Sequence, residues 1–96
     1  MEGKVKRLMI GLHLGGSPVP RLEKRKKMIF SRIKGMCGFY MFATLAGGMQ
    51  VLITNVWENW ENDIKEESRK NPGIRFNIFD ENDEEKIFLD GEIVTE

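Results

Sequence analysis

The sequence predicts a mostly α-helical protein with a single transmembrane helix, and three observations carry that expectation. The first is a division of charge. From Met1 to Lys34 ten basic residues stand against two acidic ones, net +8, while from Glu58 to Glu96 five basic residues stand against thirteen acidic ones, net −8. The second is what lies between: residues 35–57, GMCGFYMFATLAGGMQVLITNVW, are 23 residues without one Asp, Glu, Lys, Arg or His. Charges scattered at their overall frequency of 31% would leave such a gap in only about one chain in a hundred. The gap therefore needs a physical cause. The third is a pair of tryptophans, Trp57 and Trp60, at the acidic exit of the uncharged block.

Composition bounds the rest. Ninety-six residues allow one domain, and a chain of this length buries only about two-thirds of its unfolded surface. With 41% hydrophobic residues and 13 Pro plus Gly, collagen-like and wholly disordered classes are excluded. One cysteine, Cys37, cannot close an internal disulfide.

Residues 1–34 read as a basic arm followed by an amphipathic helix. Lys4 to Ile10 is basic and apolar, which suits a mitochondrial address, and neither a cleavage site nor a secretory layout is visible. Gly15 to Pro20 is a connector, because Pro18 and Pro20 fix φ and push Ser17 and Val19 into extended conformations. From Arg21 a helix begins, with Leu22, Ile29 and Ile33 on one face and Arg21, Lys24, Arg25, Lys27 and Arg32 over much of the remainder. That basic surface is either solvated, laid on anionic lipid headgroups, or offered to a partner.

Residues 35–57 read as the transmembrane helix. Twenty-three residues at about 1.5 Å each match a hydrocarbon core of about 30 Å with a modest tilt. Lys34 would mark one membrane interface and Trp57 and Trp60 the other, and the positive-inside rule places the N-terminus on the cytoplasmic or matrix side. Small residues four apart, Ala43 with Gly47 and Thr44 with Gly48, would form a shallow helix-packing strip. The mean hydropathy of the block is borderline for a span, as fits a helix partly covered by protein, with Gln50 and Asn55 bonding to neighbouring helices.

Residues 58–96 read as an acidic extramembrane helix and a small β meander. Val56, Trp60 and Ile64 continue at helical spacing until Asn71-Pro72-Gly73 stops the helix. Ile74, Phe76 and Ile78 alternate as in a half-buried strand. Asp80 to Glu85 fails as a calcium loop, because Glu85 stands where glycine is needed and Gly91 where a bidentate glutamate is needed, so it reads as an acidic turn. Ile87-Phe88-Leu89, Asp90-Gly91 and Glu92-Ile93-Val94 read as a hairpin with a positive-φ turn.

A soluble α+β sheet protein is the rival reading. Local propensity gives strands at Val5–Leu14, Phe39–Leu45, Gln50–Thr54 and Ile74–Phe79 and helices at Arg21–Lys34 and Glu58–Lys70. That order, βαββαβ, resembles the split βαβ sandwich of ferredoxin-like domains, with Ala46-Gly47-Gly48 as a hairpin turn.

No chemistry-bearing motif accompanies either reading. His13 is the only histidine and Cys37 the only thiol, and CxxC, HExxH, GxSxG and phosphate-loop patterns are absent from the sequence. Neither an enzyme, a cofactor nor a metal is expected. Gly38-Phe39-Tyr40-Met41-Phe42 resembles the end of the aromatic strand motif of RNA-recognition domains. Lys34-Gly35 lies one residue out of that motif's register and the acidic half would repel phosphate, so no nucleic-acid partner is expected.

In general layout the chain resembles the small accessory subunits and assembly factors of respiratory-chain complexes in the mitochondrial inner membrane. The resemblance implies a non-catalytic subunit that docks by helix packing on larger membrane protein subunits. The rival implies a charge-polarised adaptor or inhibitor that offers its acidic half to a basic partner.

Overall fold

The structure, a computed structural model, describes residues 6–94. The expectations placed on Lys4 and Val5 fall outside the described residues. The element order is β1 (Arg7–Leu14), α1 (Leu22–Lys34), β2 (Tyr40–Thr44), β3 (Gln50–Asn55), α2 (Trp60–Lys70), β4 (Ile74–Asp80), β5 (Glu85–Leu89) and β6 (Glu92–Val94). The strands form one sheet in the order β2-β3-β1-β4-β5-β6, each antiparallel to its neighbours.

Period-two alternation builds the sheet. Leu8, Ile10 and Leu12 of β1 stand opposite Thr54 and Leu52 on β3 and Ile78 and Phe76 on β4, and together they form the face that receives the helices. Phe88 continues this face on β5 opposite Phe76. The stripe anticipated on α1 delivers Ile29, Phe30 and Ile33 to the same layer, and α2 adds Ile64. Burying each of these side chains is worth about 1.5–3 kcal/mol, so the sheet and its two helices stabilise each other far more than local propensity stabilises either.

The first four strands in space, β2-β3-β1-β4, have the connectivity of the rival arrangement, and the β5–β6 hairpin extends the sheet beyond β4. Bonds between loops and helices also hold separate segments of the chain together. The Gly15 amide donates to the Gly73 carbonyl at 2.8 Å, and the Gly91 amide, at positive φ, donates to Ser68 Oγ at 2.8 Å.

The mostly α, single-span architecture is overturned. Residues 35–57 turn back on themselves, with Tyr40 opposite Thr54 and Thr44 opposite Gln50. Leu45 N–H donates to the Met49 carbonyl at 2.7 Å, and Gly47 and Gly48 close the turn with φ of 88° and 86°, values a transmembrane helix cannot contain. Among the described residues no helix is long and apolar enough to cross a membrane. The single-pass placement, the cytoplasmic or matrix N-terminus, and the inner-membrane respiratory-chain assignment all rested on that span, and they fall with it.

The true cause of much of the charge gap is a strand buried on both faces. Leu52 faces the helices and Val51 the opposite side, and both are buried. A charge at either position would have to be desolvated without a partner.

Candidate interaction edge at the basic pole

The sheet sets much of the charge of α1 apart from that of the acidic β4–β5 turn. Helix α1 lies over the β2–β3 side, where Phe30 meets Phe42 edge to face at 5.7 Å and Lys34 Nζ sits 5.0 Å above the Tyr40 ring and 5.5 Å from that of Phe42. Helix α2 lies over the β4–β5 side, where Trp60 meets Phe88 at 6.4 Å and Lys86 pairs with Glu61. The α1 end is thus dominated by Lys24, Arg25, Lys26, Lys27, Arg32 and Lys34. The opposite end carries Glu61, Asp63 and Glu66 of α2, interspersed with Lys65, Arg69 and Lys70 of the same helix, and the acidic turn between β4 and β5, whose Asp80 and Glu81 border Lys6 and Arg7.

The basic residues singled out on α1 divide into two groups. Arg25 donates to Asn71 Oδ1 at 3.5 Å and Arg32 pairs with Glu67 at 3.4 Å, so these two tie α1 to α2. Arg21, Lys24 and Lys27 are exposed, with Arg21 left-handed at the helix start at φ 55°. Lys27 borders a cavity of about 410 Å³ that it shares with Phe30, Thr44 and Met49, between α1 and the tip of the β2–β3 hairpin.

The residues proposed as a small-residue strip do not share a helix face. Ala43 and Thr44 point to opposite sides of β2, and Gly47 and Gly48 form its turn. Trp57 and Trp60 are partly buried against the core, and the Trp57 indole N–H donates to Asp63 Oδ2 at 2.8 Å. A depth-marking pair in the sequence is here a clamp at the start of α2.

The rival reading puts a strand at Phe39–Leu45, and what sequence reasoning missed is the place of β2 in the sheet. It is an edge strand, and Phe39, Tyr40, Met41, Phe42 and Leu45 are between 36% and 49% exposed. Bonds at Phe39–Asn55 and Leu45–Met49 fix the phase of the hairpin, so Met41 and Ala43 bond inward to β3 while Tyr40, Phe42 and Thr44 turn their N–H and C=O outward. Natural edges are usually blunted by Lys, Pro, a bulge or an inward charge. β2 carries none of these. The signal available in sequence was the aromatic run 39–42, whose exposure no local pattern reveals.

The face of the sheet away from the helices holds the remaining polar chemistry. Arg75 Nε donates to Asn77 Oδ1 at 3.2 Å and Asn77 Nδ2 to Glu85 Oε2 at 2.5 Å. His13 stands opposite Arg75, and its pKa is lowered by burial first, then by Arg75 and Lys26, against a smaller opposing pull from Glu85. A shallow groove of about 360 Å³ runs here past Met9, His13, Met49, Arg75 and Phe79. Cys37, whose thiol is pushed up by burial, lies near the end of α1 and donates to the Lys34 carbonyl at 3.8 Å. A raised thiol is a poor nucleophile at neutral pH.

In the acidic turn Asp80 Oδ1 accepts from the amides of Asn82 at 2.8 Å and Glu84 at 3.0 Å, so that carboxylate serves the backbone. Among the described residues no group of three or more His, Cys, Asp or Glu is disposed to hold a metal ion. Compared with models of protein families, with curated proteins and with solved structures, the chain matches none of them.

Proposed function

We propose that this chain is a charge-polarised α+β interaction module without catalytic chemistry, an adaptor or inhibitor whose basic end takes hold of an acidic partner protein. The observation that carries the reading is the placement of α1 with Lys24, Lys26, Lys27 and Lys34 over one end of the sheet and of the acidic β4–β5 turn towards the other, Arg25 and Arg32 being tied to α2. Such a division steers association and orients the partner through complementary potential. The exposed apolar residues of β2 lie at the basic end, where a partner drawn in by charge would cover them.

The test is a titration of the isotope-labelled chain with a glutamate-rich peptide, read by backbone amide shifts. Shifts concentrated on α1 and β2, with affinity falling about tenfold between low and physiological salt, are expected. Equal binding of a lysine-rich peptide, or full displacement by a single-stranded RNA of the same charge, would reject the reading.

A further inference from the structure

We infer that β2 accepts an extended segment of the partner as a seventh strand, and that this segment alternates carboxylate and apolar side chains. The inference rests on the interaction-module reading and supplies its partner chemistry. It starts from an asymmetry inside the uncharged block. The absence of charge in β3 follows from burial on both faces, since Val51 is 1% and Leu52 0% exposed. Burial does not explain β2 and the residue before it, where Phe39, Tyr40, Met41 and Phe42 are all 42% exposed or more. An exposed strand that nevertheless excludes every charge is suited to being covered.

The backbone says how it would be covered. Tyr40, Phe42 and Thr44 present strand-edge groups along one line that are unpaired among the described residues and that an added strand would satisfy. The side chains say by what. On the helix side the incoming strand would pass Lys34, which already lies over Tyr40 and Phe42, and Lys27, which borders the same cavity as Thr44. Glu23 borders that cavity too but pairs with Lys26 at 3.6 Å, so alternate residues facing that side meet the ammonium groups of Lys27 and Lys34 and call for carboxylates. On the other side they lie beside Met41, Ala43 and Leu45, where apolar side chains fit. A second copy joined edge to edge through β2 would set two α1 helices side by side and bring like charges together, so charge favours an acidic segment over self-pairing.

The experiment uses a synthetic peptide of about eight residues alternating glutamate and valine, a segregated peptide of the same composition, and an alternating peptide N-methylated at every second residue. The alternating peptide is expected to bind, to shift the amides of Tyr40, Phe42 and Thr44, and to slow their hydrogen exchange. The segregated and N-methylated peptides are expected to bind at least about tenfold more weakly. On the protein, Thr44→Pro removes one outward N–H and leaves the inward bonds of Met41 and Ala43 in place, so it should weaken the alternating peptide similarly. If the N-methylated peptide binds as well as its parent while Lys27→Glu with Lys34→Glu abolishes both, strand addition is rejected and the module reading stands. If neither backbone nor charge changes alter binding, both fail. Slow exchange at Tyr40, Phe42 and Thr44 in the free chain, with a dimer in sedimentation, would identify a second copy as the occupant and overturn the proposal.

Discussion

Arg32 of α1 reaches Glu67 of α2 with Nη1 3.4 Å from Oε1, and the Glu67 side chain is only 3% exposed. One turn further along, Asn71 donates to the Glu67 carbonyl at 2.8 Å and accepts from Arg25 at 3.5 Å. The two helices, which share one apolar cluster with the sheet, are also joined by this chain of polar contacts at the buried Glu67 and Asn71. Arg32→Met should leave the Glu67 carboxylate without its partner and lower stability by about 1–3 kcal/mol in urea unfolding. Arg32→Met with Glu67→Met should recover part of that loss, because neither charge then remains buried. A double variant no more stable than the single one would show that the pair does not couple the helices.

Val51 and Leu45 distinguish the hairpin from a membrane helix by measurement. Val51 is 1% exposed at the base of the groove, whereas Leu45 is 36% exposed near the turn. Val51→Asp is expected to unfold the chain, since it buries an unpaired carboxylate at a cost of several kcal/mol. Leu45→Asp is expected to change stability by less than about 1 kcal/mol. Equal damage from the two, followed by circular dichroism, would contradict the registry of β2 against β3.

Thr54 Oγ1 is buried beneath the helices without a hydrogen-bond partner among the described residues. Its hydroxyl is desolvated for no return, so Thr54→Val should be neutral or stabilising by up to about 1 kcal/mol, read as a rise in Tm. A fall of the same size would mean that the hydroxyl has a partner.

His13 gives the fold a pH dependence of definite sign. Burial and the neighbouring Arg75 hold its native pKa below the ordinary 6.5, so the unfolded chain binds the proton more readily than the folded one. Its contribution to stability is therefore complete above that ordinary value and is lost as pH falls through the native pKa. His13→Gln should flatten the stability profile between about pH 7 and pH 5, measured by urea midpoints across the range. An unchanged slope would assign the dependence to other groups.

Much of this fold was legible locally. The stripe of Leu22, Ile29 and Ile33 placed α1, Asn71-Pro72-Gly73 stopped α2, and Asp90-Gly91 marked the β5–β6 turn at φ of 54° and 85°. The span was misassigned because 23 uncharged residues satisfy two geometries of quite different length, one helix or two short strands and a turn. Gly47-Gly48 favoured the turn, yet the same two glycines also fit a helix-packing strip. Nothing within the block distinguished them, because the deciding contacts are with β1 and α1, outside it.

The candidate edge was less legible still. The run of aromatics at Phe39–Phe42 is visible in sequence, but whether such residues face core, lipid or water depends on where their strand falls in the sheet.

By itself the sequence determined the local elements, the separation of opposite charges along the chain and the absence of recognisable catalytic motifs, because each follows from residue type and spacing over a few neighbours. Only the tertiary structure decided that β3 lies inside the sheet and β2 at its rim, and that α1 lies over the β2–β3 side and α2 over the β4–β5 side. Strand order is set by pairings between distant segments, such as Ile10 with Leu52 and Ile78, whose energy comes from burying surfaces that no short stretch of chain can bury alone.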